Sequence, residues 1–217
     1  MAQQTFSIGR ALTIIEQEMQ KVELPVSENF MKDPFRVWLS CIVSLRTRDT
    51  QTAKIVGPLF ERVSSVEDIL AIDEEELAKL IYPAGFYRQK AKQVKKTAPI
   101  LMERFDGKIP SEIDDLLTLP GTGRKTANLV RTLGFGLPGI CVDIHVHRIS
   151  NRFGYVKTKT PDQTEFALRK KLPKRYWMDI NRLLVMWGQN RCFPLRPRCS
   201  DCPLFSQCPR VGVQQHR

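Results

Sequence analysis

Hydrophobic positions recur at helical spacing through most of the chain. Ile8, Leu12, Ile15, Met19 and Val22 follow one another at intervals of four, three, four and three, which is one face of an amphipathic helix. Ser7 stands before it as a cap and Pro25 ends it. Residues 35–44 are apolar almost without interruption (Val37, Trp38, Leu39, Cys41, Ile42, Val43), which predicts a buried helix. Their length and lack of polar alternation argue against a strand. After Leu45-Arg-Thr-Arg-Asp49 comes a helix carrying Ala53, Ile55, Val56 and Leu59, kinked or divided by Pro58. Two short helices follow, one opened by the Ser64-Ser65 pair and one by Asp73 with Glu76 three residues on. The stretch 82–87 reads as a loop, 89–105 as a basic helix with a kink at Pro99, and Asp106-Gly107 as a turn. Ser111 is placed to cap a helix over 112–117, and further helices are predicted over 125–133, 143–152, 162–172 and 175–188. Strand alternation and long-period repeats are both lacking, so the fold class is all-α.

Composition narrows the setting. A chain of 217 residues makes one large domain or two small ones. At 42% hydrophobic and 26% charged it reads as an ordinary globular protein. No apolar run approaches the ~18–20 residues needed to cross a bilayer, and the N-terminus lacks the basic-then-apolar order of a secretory signal. An intracellular protein is expected. The net charge of +11 points to a polyanionic partner. The basic residues cluster at Lys90, Lys92, Lys95 and Lys96, at Arg169, Lys170, Lys171, Lys174 and Arg175, and at Arg191, Arg196 and Arg198.

Chemistry concentrates in Leu119-Pro-Gly-Thr-Gly-Arg-Lys125, where one predicted helix ends and another begins. Gly121 and Gly123 permit positive φ and let another backbone come close. The free amides at the start of the second helix suit an anion such as a DNA phosphate, a contact that positions without reading sequence. An ordinary helix-to-helix turn with a glycine cap is the plainer account. Lys125 is either a phosphate contact or a nucleophile. An amine attacks only when neutral, and a helix N-terminus with Arg124 alongside disfavours its charge. Eighteen residues on, Asp143 stands alone in an apolar run. It would favour the charged amine, but it could take a proton or stabilise positive charge developing on a sugar. As a local feature it equally suits a helix N-cap.

Four of the six cysteines fall in seventeen residues, as Cys192-x6-Cys199-x2-Cys202-x5-Cys208. Such a quartet can hold one tetrahedral metal ion or a [4Fe–4S] cube, with disulfides a third option. Cys41 and Cys141 lie in apolar contexts and read as small core residues. His145 and His147 lie far from the quartet and are given no metal role. The tail from Asn190 has too little apolar content to fold without a staple. Between the first two cysteines, Arg196 and Arg198 sit on a proline-stiffened loop suited to phosphate. Two further loops, Leu45-Arg46-Thr47 and Gly85-Phe86-Tyr87, carry residue types that could fill the gap left by an unstacked base. Either side chain could instead serve surface packing.

Leu-Pro-Gly-Thr-Gly-Arg-Lys-Thr-Ala-Asn128, Val142-Asp-Ile-His-Val-His-Arg148 and the cysteine quartet together resemble the endonuclease III family of base-excision DNA glycosylases, from about Phe35 to Cys208. The resemblance implies two helical domains with a DNA groove between them. One is a six-helix barrel with the helix-hairpin-helix, residues 25–137. The other joins 1–24 to 138–217 and carries a C-terminal [4Fe–4S] cluster on Cys192, Cys199, Cys202 and Cys208. Lys125 matches the nucleophile that attacks the deoxyribose C1′ and forms a Schiff base, and Asp143 matches the catalytic acid. DNA contacts are expected at Arg46, Phe86, Gly121, Gly123, Arg124, His145, Arg196 and Arg198. The implied partner is damaged double-stranded DNA, met by a monomer, and the implied substrates are oxidised pyrimidines and abasic sites.

Departures from the family pattern fall at Ser44-Leu-Arg46, in place of a glutamine-containing loop, at Phe86 for leucine, at Ile144 for threonine and at His147 for phenylalanine. They bear on which lesion and which opposite base are preferred. They leave the lysine and the aspartate untouched. The alternatives are a monofunctional thymine or uracil mismatch glycosylase and a non-catalytic iron–sulfur DNA-binding protein.

Overall fold

The computed structural model describes residues 6–20 and 32–217, and every regular element among them is helical. Val22 and Pro25, assigned above to the end of the first helix, lie outside the described residues. The chain forms two compact units, Pro25–Gly139 and Met1–Leu24 with Ile140–Arg217.

The first of these is built on α2 (Pro34–Ser44). Asp33 caps it through the Arg36 amide at 3.1 Å, and Pro34 sits in its first turn, where the missing N–H costs nothing. Its apolar run is buried all round, with Trp38, Leu39, Ile42 and Val43 at zero exposure. α3 (Asp49–Arg62) runs through Pro58 as one helix, so of the two outcomes expected there, division does not occur. Pro58 lies on the exposed side, where water can take the carbonyl it leaves unpaired, while Ile55, Val56, Leu59 and Phe60 hold the buried side. α4 (Val66–Ala71) opens with a full capping box between Ser65 and Asp68. α5 (Glu74–Leu80) starts after Asp73, whose side chain makes no cap bond. Likewise Ser111 does not cap α7 (Ile113–Leu117), whose N-cap is Glu112.

α6 (Tyr87–Phe105) is the longest helix and packs on α4, α5 and α2. Two of its lysines turn inward. Lys95 Nζ donates to the carbonyls of Ile69, Leu70 and Ile72 at 2.8, 3.1 and 2.6 Å, closing the end of α4. Lys90 is buried at 4% exposure. Neither therefore belongs to a surface basic patch; Lys92 and Lys96 remain exposed. α8 (Arg124–Leu129) continues into a π-helical segment, Val130–Gly134, that packs on α2. Gly134 allows the approach, since a Cβ there would stand 2.7 Å from Pro34 Cα.

In the other unit, α1 (Ile8–Met19) and α9 (Ile144–Arg152) both pack on α11 (Asp179–Asn190). α10 (Pro161–Lys171) packs on α9. The helix expected over 175–188 is in fact a short 3-10 turn, Lys174–Tyr176, followed by α11. Phe153 and Trp187 anchor this core. From Arg191 onward the backbone folds by turns, and Arg217 N–H donates to Pro197 O at 3.0 Å.

The turn between α7 and α8 is fixed from two sides. The Trp38 indole N–H donates to Thr122 Oγ1 at 2.9 Å inside the core. Gly121 holds φ +79°, and a Cβ on it would meet Gln93 Oε1 of α6 at 2.9 Å. Two stability measurements follow, both by urea unfolding. Gly121→Ala is expected to cost about 1–2 kcal/mol, from the left-handed backbone and the Gln93 contact. Lys95→Met is expected to cost about 1–3 kcal/mol, because three carbonyls lose a charged donor. An unchanged midpoint in either variant would contradict its stated contact.

Candidate active site and cysteine centre

Lys125 lies in the first turn of α8 and is exposed. The helix starts at Gly123, whose φ of −95° and ψ of 176° are extended rather than left-handed. The expectation of positive φ is therefore met at Gly121 and corrected at Gly123. Gly123 contributes differently: a Cβ there would meet nothing within 4 Å, so the helix start stays uncovered. Arg124 is half-buried, and its carbonyl accepts from Asn128 Nδ2 at 3.0 Å. The Thr122 amide donates to Leu119 O at 3.0 Å, which closes the turn.

Cys41 comes into this site unannounced by the sequence. Burial pushes its thiol up to about 11, and the positive charge of Lys125 is the opposing influence. A group read as inert packing thus lies within electrostatic reach of the candidate nucleophile. A cysteine in an apolar helix gives no sign of which distant side chain it will meet.

Arg46 and Phe86 come together. The Arg46 guanidinium lies 5.2 Å from the Phe86 ring centroid. Both are exposed and both hold left-handed backbone, at φ +53° and +58°. Phe86 is also the N-cap of α6.

Asp143 is the N-cap of α9. Its Oδ1 accepts from the His145 and Val146 amides, each at 2.9 Å. The capping role weighed in the sequence is therefore real, and it fixes the carboxylate's direction. Ile144, directly after it, is 67% exposed. His145 turns its ring toward Arg148, with Nδ1 3.1 Å from Nη2. Gly188 of α11 makes that possible, since a Cβ there would collide with His145 Nδ1. His147 faces α10, its Nδ1 2.7 Å from Thr164 Oγ1.

All six cysteines are free thiols. Cys192, Cys199, Cys202 and Cys208 line one cavity of about 320 Å3, counting space open to solvent, together with Phe153, Trp187 and Leu204. No three His, Cys, Asp or Glu among the described residues are grouped closely enough to hold a single ion. Burial raises the Cys199, Cys202 and Cys208 thiols, Cys202 to about 11. A metal group would have to displace those protons.

Two arginines of α9 hold the first cysteine's loop. Arg152 Nη1 donates to Cys192 Sγ at 3.4 Å and to Phe193 O at 2.5 Å, and its Nη2 donates to Pro194 O at 2.6 Å. Arg148 Nη2 donates to Cys192 O at 2.9 Å, and burial lowers its pKa. Arg196, at φ +46°, and Arg198 are exposed on the loop so held. Arg191 faces inward instead, paired with Asp201 at 3.1 Å and Glu18 at 3.6 Å.

Among the described residues no helix is long and apolar enough to cross a membrane. The sequence profile of the HhH-GPD superfamily of base excision DNA repair proteins matches residues 39–174. Endonuclease III of Thermotoga maritima is 46% identical over 176 residues, covering 81% of this chain and 83% of that protein. Endonuclease III of Bacillus subtilis is 37% identical over 186 residues, covering 85% and 84%. A trapped endonuclease III–DNA covalent intermediate superposes with a TM-score of 0.84 at 31% identity, over 94% of each chain. A thermostable thymine-DNA glycosylase gives 0.82 at 25% identity, over 92% and 94%. With a helical fold, a clamped Gly-x-Gly turn ahead of an exposed lysine, and identity of this order over most of its length, the chain belongs to the endonuclease III family of helix-hairpin-helix base excision DNA repair proteins, a family of DNA glycosylases with AP lyase activity.

Proposed function

We propose that this chain removes oxidised pyrimidines from damaged duplex DNA inside the cell and cleaves the abasic strand by β-elimination. Lys125 is the nucleophile. Its neutral amine attacks the deoxyribose C1′, the C1′–N bond to the base breaks, and the base leaves with the bonding pair and a proton. Ring opening gives a Schiff base between C1′ and Lys125 Nζ. Loss of a C2′ proton then expels the 3′ phosphate oxygen. Asp143 serves as the carboxylate that takes the lysine's proton or faces the positive charge developing on the sugar. Its cap bonds to two amides keep it oriented without reorganisation.

The observation that carries this reading is the exposed Lys125 one residue into a helix whose preceding turn is locked by Trp38 and Gly121. Catalysis through a lysine requires its amine to be delivered to one sugar carbon, and rigid delivery is worth several orders of magnitude in rate. Gly121, Gly123 and Arg124 hold the DNA backbone, with His145, Arg196 and Arg198 as further contacts. Arg46 and Phe86 fill the gap left by the extruded nucleotide. One chain carries every residue named, so a monomer suffices.

The four cysteines are the residues that would hold a [4Fe–4S] cluster, since all four line one cavity and four thiolates are the ligand set such a cluster takes. Bound there, the cluster staples a tail that has no helix of its own. The resemblance to a thermostable thymine-DNA glycosylase makes a mismatch glycosylase without strand cleavage the second reading.

Incubation with abasic-site duplex and borohydride separates the two. A covalent adduct that disappears in Lys125→Ala is expected; no adduct with the wild-type chain leaves the mismatch reading. Asp143→Asn is expected to lower glycosylase turnover about 100-fold or more while leaving abasic-DNA binding within about threefold. Purified protein is expected to be brown with absorbance near 400 nm, and bleaching with loss of the tail's protease resistance. A colourless preparation with stoichiometric zinc would replace the cluster.

A further inference from the structure

Phe86 and Arg46, on two loops that touch, are both bulky, exposed and left-handed. Such backbone persists in non-glycine residues where the surroundings over-determine it. The surroundings here converge on one hydroxyl. Thr47 Oγ1 donates to Val43 O at 3.0 Å, the end of α2. It accepts from the Gly85 amide at 3.1 Å, which ties the Arg46 loop to the Phe86 loop. It also accepts from Lys90 Nζ at 2.9 Å. One donor and two acceptor sites are thereby all used. Lys90 Nζ donates in turn to Val43 O at 2.6 Å. The loops touch through backbone as well, since a Cβ on Gly85 would collide with Arg46 O.

Lys90 is an unexpected residue for this place. It is 4% exposed and forms no ion pair with a carboxylate among the described residues. Burial alone pulls its pKa down to about 8. A hydrocarbon side chain would fill the space without that desolvation cost. What the ammonium adds is donors, aimed at the C-terminal end of α2 and at the shared hydroxyl, where a cation is favoured by the helix's exposed carbonyls.

We propose that Lys90 is a positioning residue, which locks the Arg46 and Phe86 loops together so that both side chains enter the duplex as one unit. The inference rests on the reading that Arg46 and Phe86 fill the gap in the base stack. Lys90 touches no substrate. It acts by holding Thr47, and through Thr47 the Gly85 amide next to Phe86. Loss of this latch leaves the lysine nucleophile intact but removes the cost-sharing that makes unstacking accessible.

Lys90→Met, near in volume and without donors, tests this. Single-turnover excision of an oxidised pyrimidine from duplex DNA is expected to fall about tenfold or more. Borohydride trapping on single-stranded abasic DNA, which needs no unstacking, is expected to stay within about twofold. Adding Lys90→Met to Arg46→Ala/Phe86→Ala is expected to lower the duplex rate by no more than about a further twofold, because coupled residues do not add. An equal fall on both substrates, or full additivity with the double variant, overturns the proposal. If Lys90→Met does not fold, Thr47→Val, which keeps the lysine and removes the shared hydroxyl, must give the same pattern, and any other pattern overturns it. An unchanged duplex rate in Arg46→Ala/Phe86→Ala would show that the wedge reading itself fails, and would take this inference with it. A wild-type chain that excises the base yet traps no adduct would sink only the lyase reading, and the duplex rates and the variant epistasis would still decide the latch.

Discussion

The Trp38–Thr122 hydrogen bond is the contact on which the site around Lys125 depends. It joins residues 84 apart and lies in the core of the unit that holds the hairpin. A fully buried indole N–H must find an acceptor or carry a desolvation cost. The acceptor it finds is the side chain between the two turn glycines. The burial of α2, the most apolar helix of this unit, and the position of the hairpin turn are therefore one arrangement. Gly121 completes it from α6, where any side chain would push against Gln93. A lysine on a mobile turn would have no fixed position. Here the mobility is removed by packing that has no other contact with the chemistry.

Charge is handled by the same economy. The net charge of +11 suggests a surface spread with cations, yet many are used inside. Lys95 closes α4, and Lys90 sits under the Arg46 and Phe86 loops. Arg148 and Arg152 hold the carbonyls around Cys192. In each case the partner is a carbonyl that a helix or turn leaves open. Internal cations on carbonyls fix loops without the acids that would dilute the positive field. The exposed remainder, including Lys92, Lys96, Arg196 and Arg198, is what a polyanion can meet.

Much of this was legible in the sequence, for identifiable reasons. Helical periodicity located α1, the unbroken apolar run located α2, and the Ser64-Ser65 pair marked the start of α4, because local pattern alone decides those elements. The Pro-Gly-x-Gly turn marked the hairpin because only glycine accepts the φ at position 121. Pro58 does not divide α3, since a proline's cost depends on whether water reaches the carbonyl it orphans, and exposure is not written locally. Gly123 misled in a subtler way: its role is an absent side chain over open space, not a special dihedral. Asp73 and Ser111 had the right residue type for caps, but neither side chain turns back to its helix.

What the sequence hid is every residue whose partner is far along the chain. Lys90, Cys41, Gly188 and Arg152 each have a bland local context: a basic helix, an apolar helix, a glycine after tryptophan, an arginine in a last turn. Their meaning comes from Thr47, Lys125, His145 and the Cys192 loop respectively. The division follows from the physics. Chemistry at a reacting atom demands particular residue types at short spacing, so it leaves a motif. Holding that chemistry in place demands only that some donor, gap or counter-charge be present where the fold happens to bring it. A supporting residue can therefore be a lysine in a run of lysines, and only coordinates distinguish the one that faces inward.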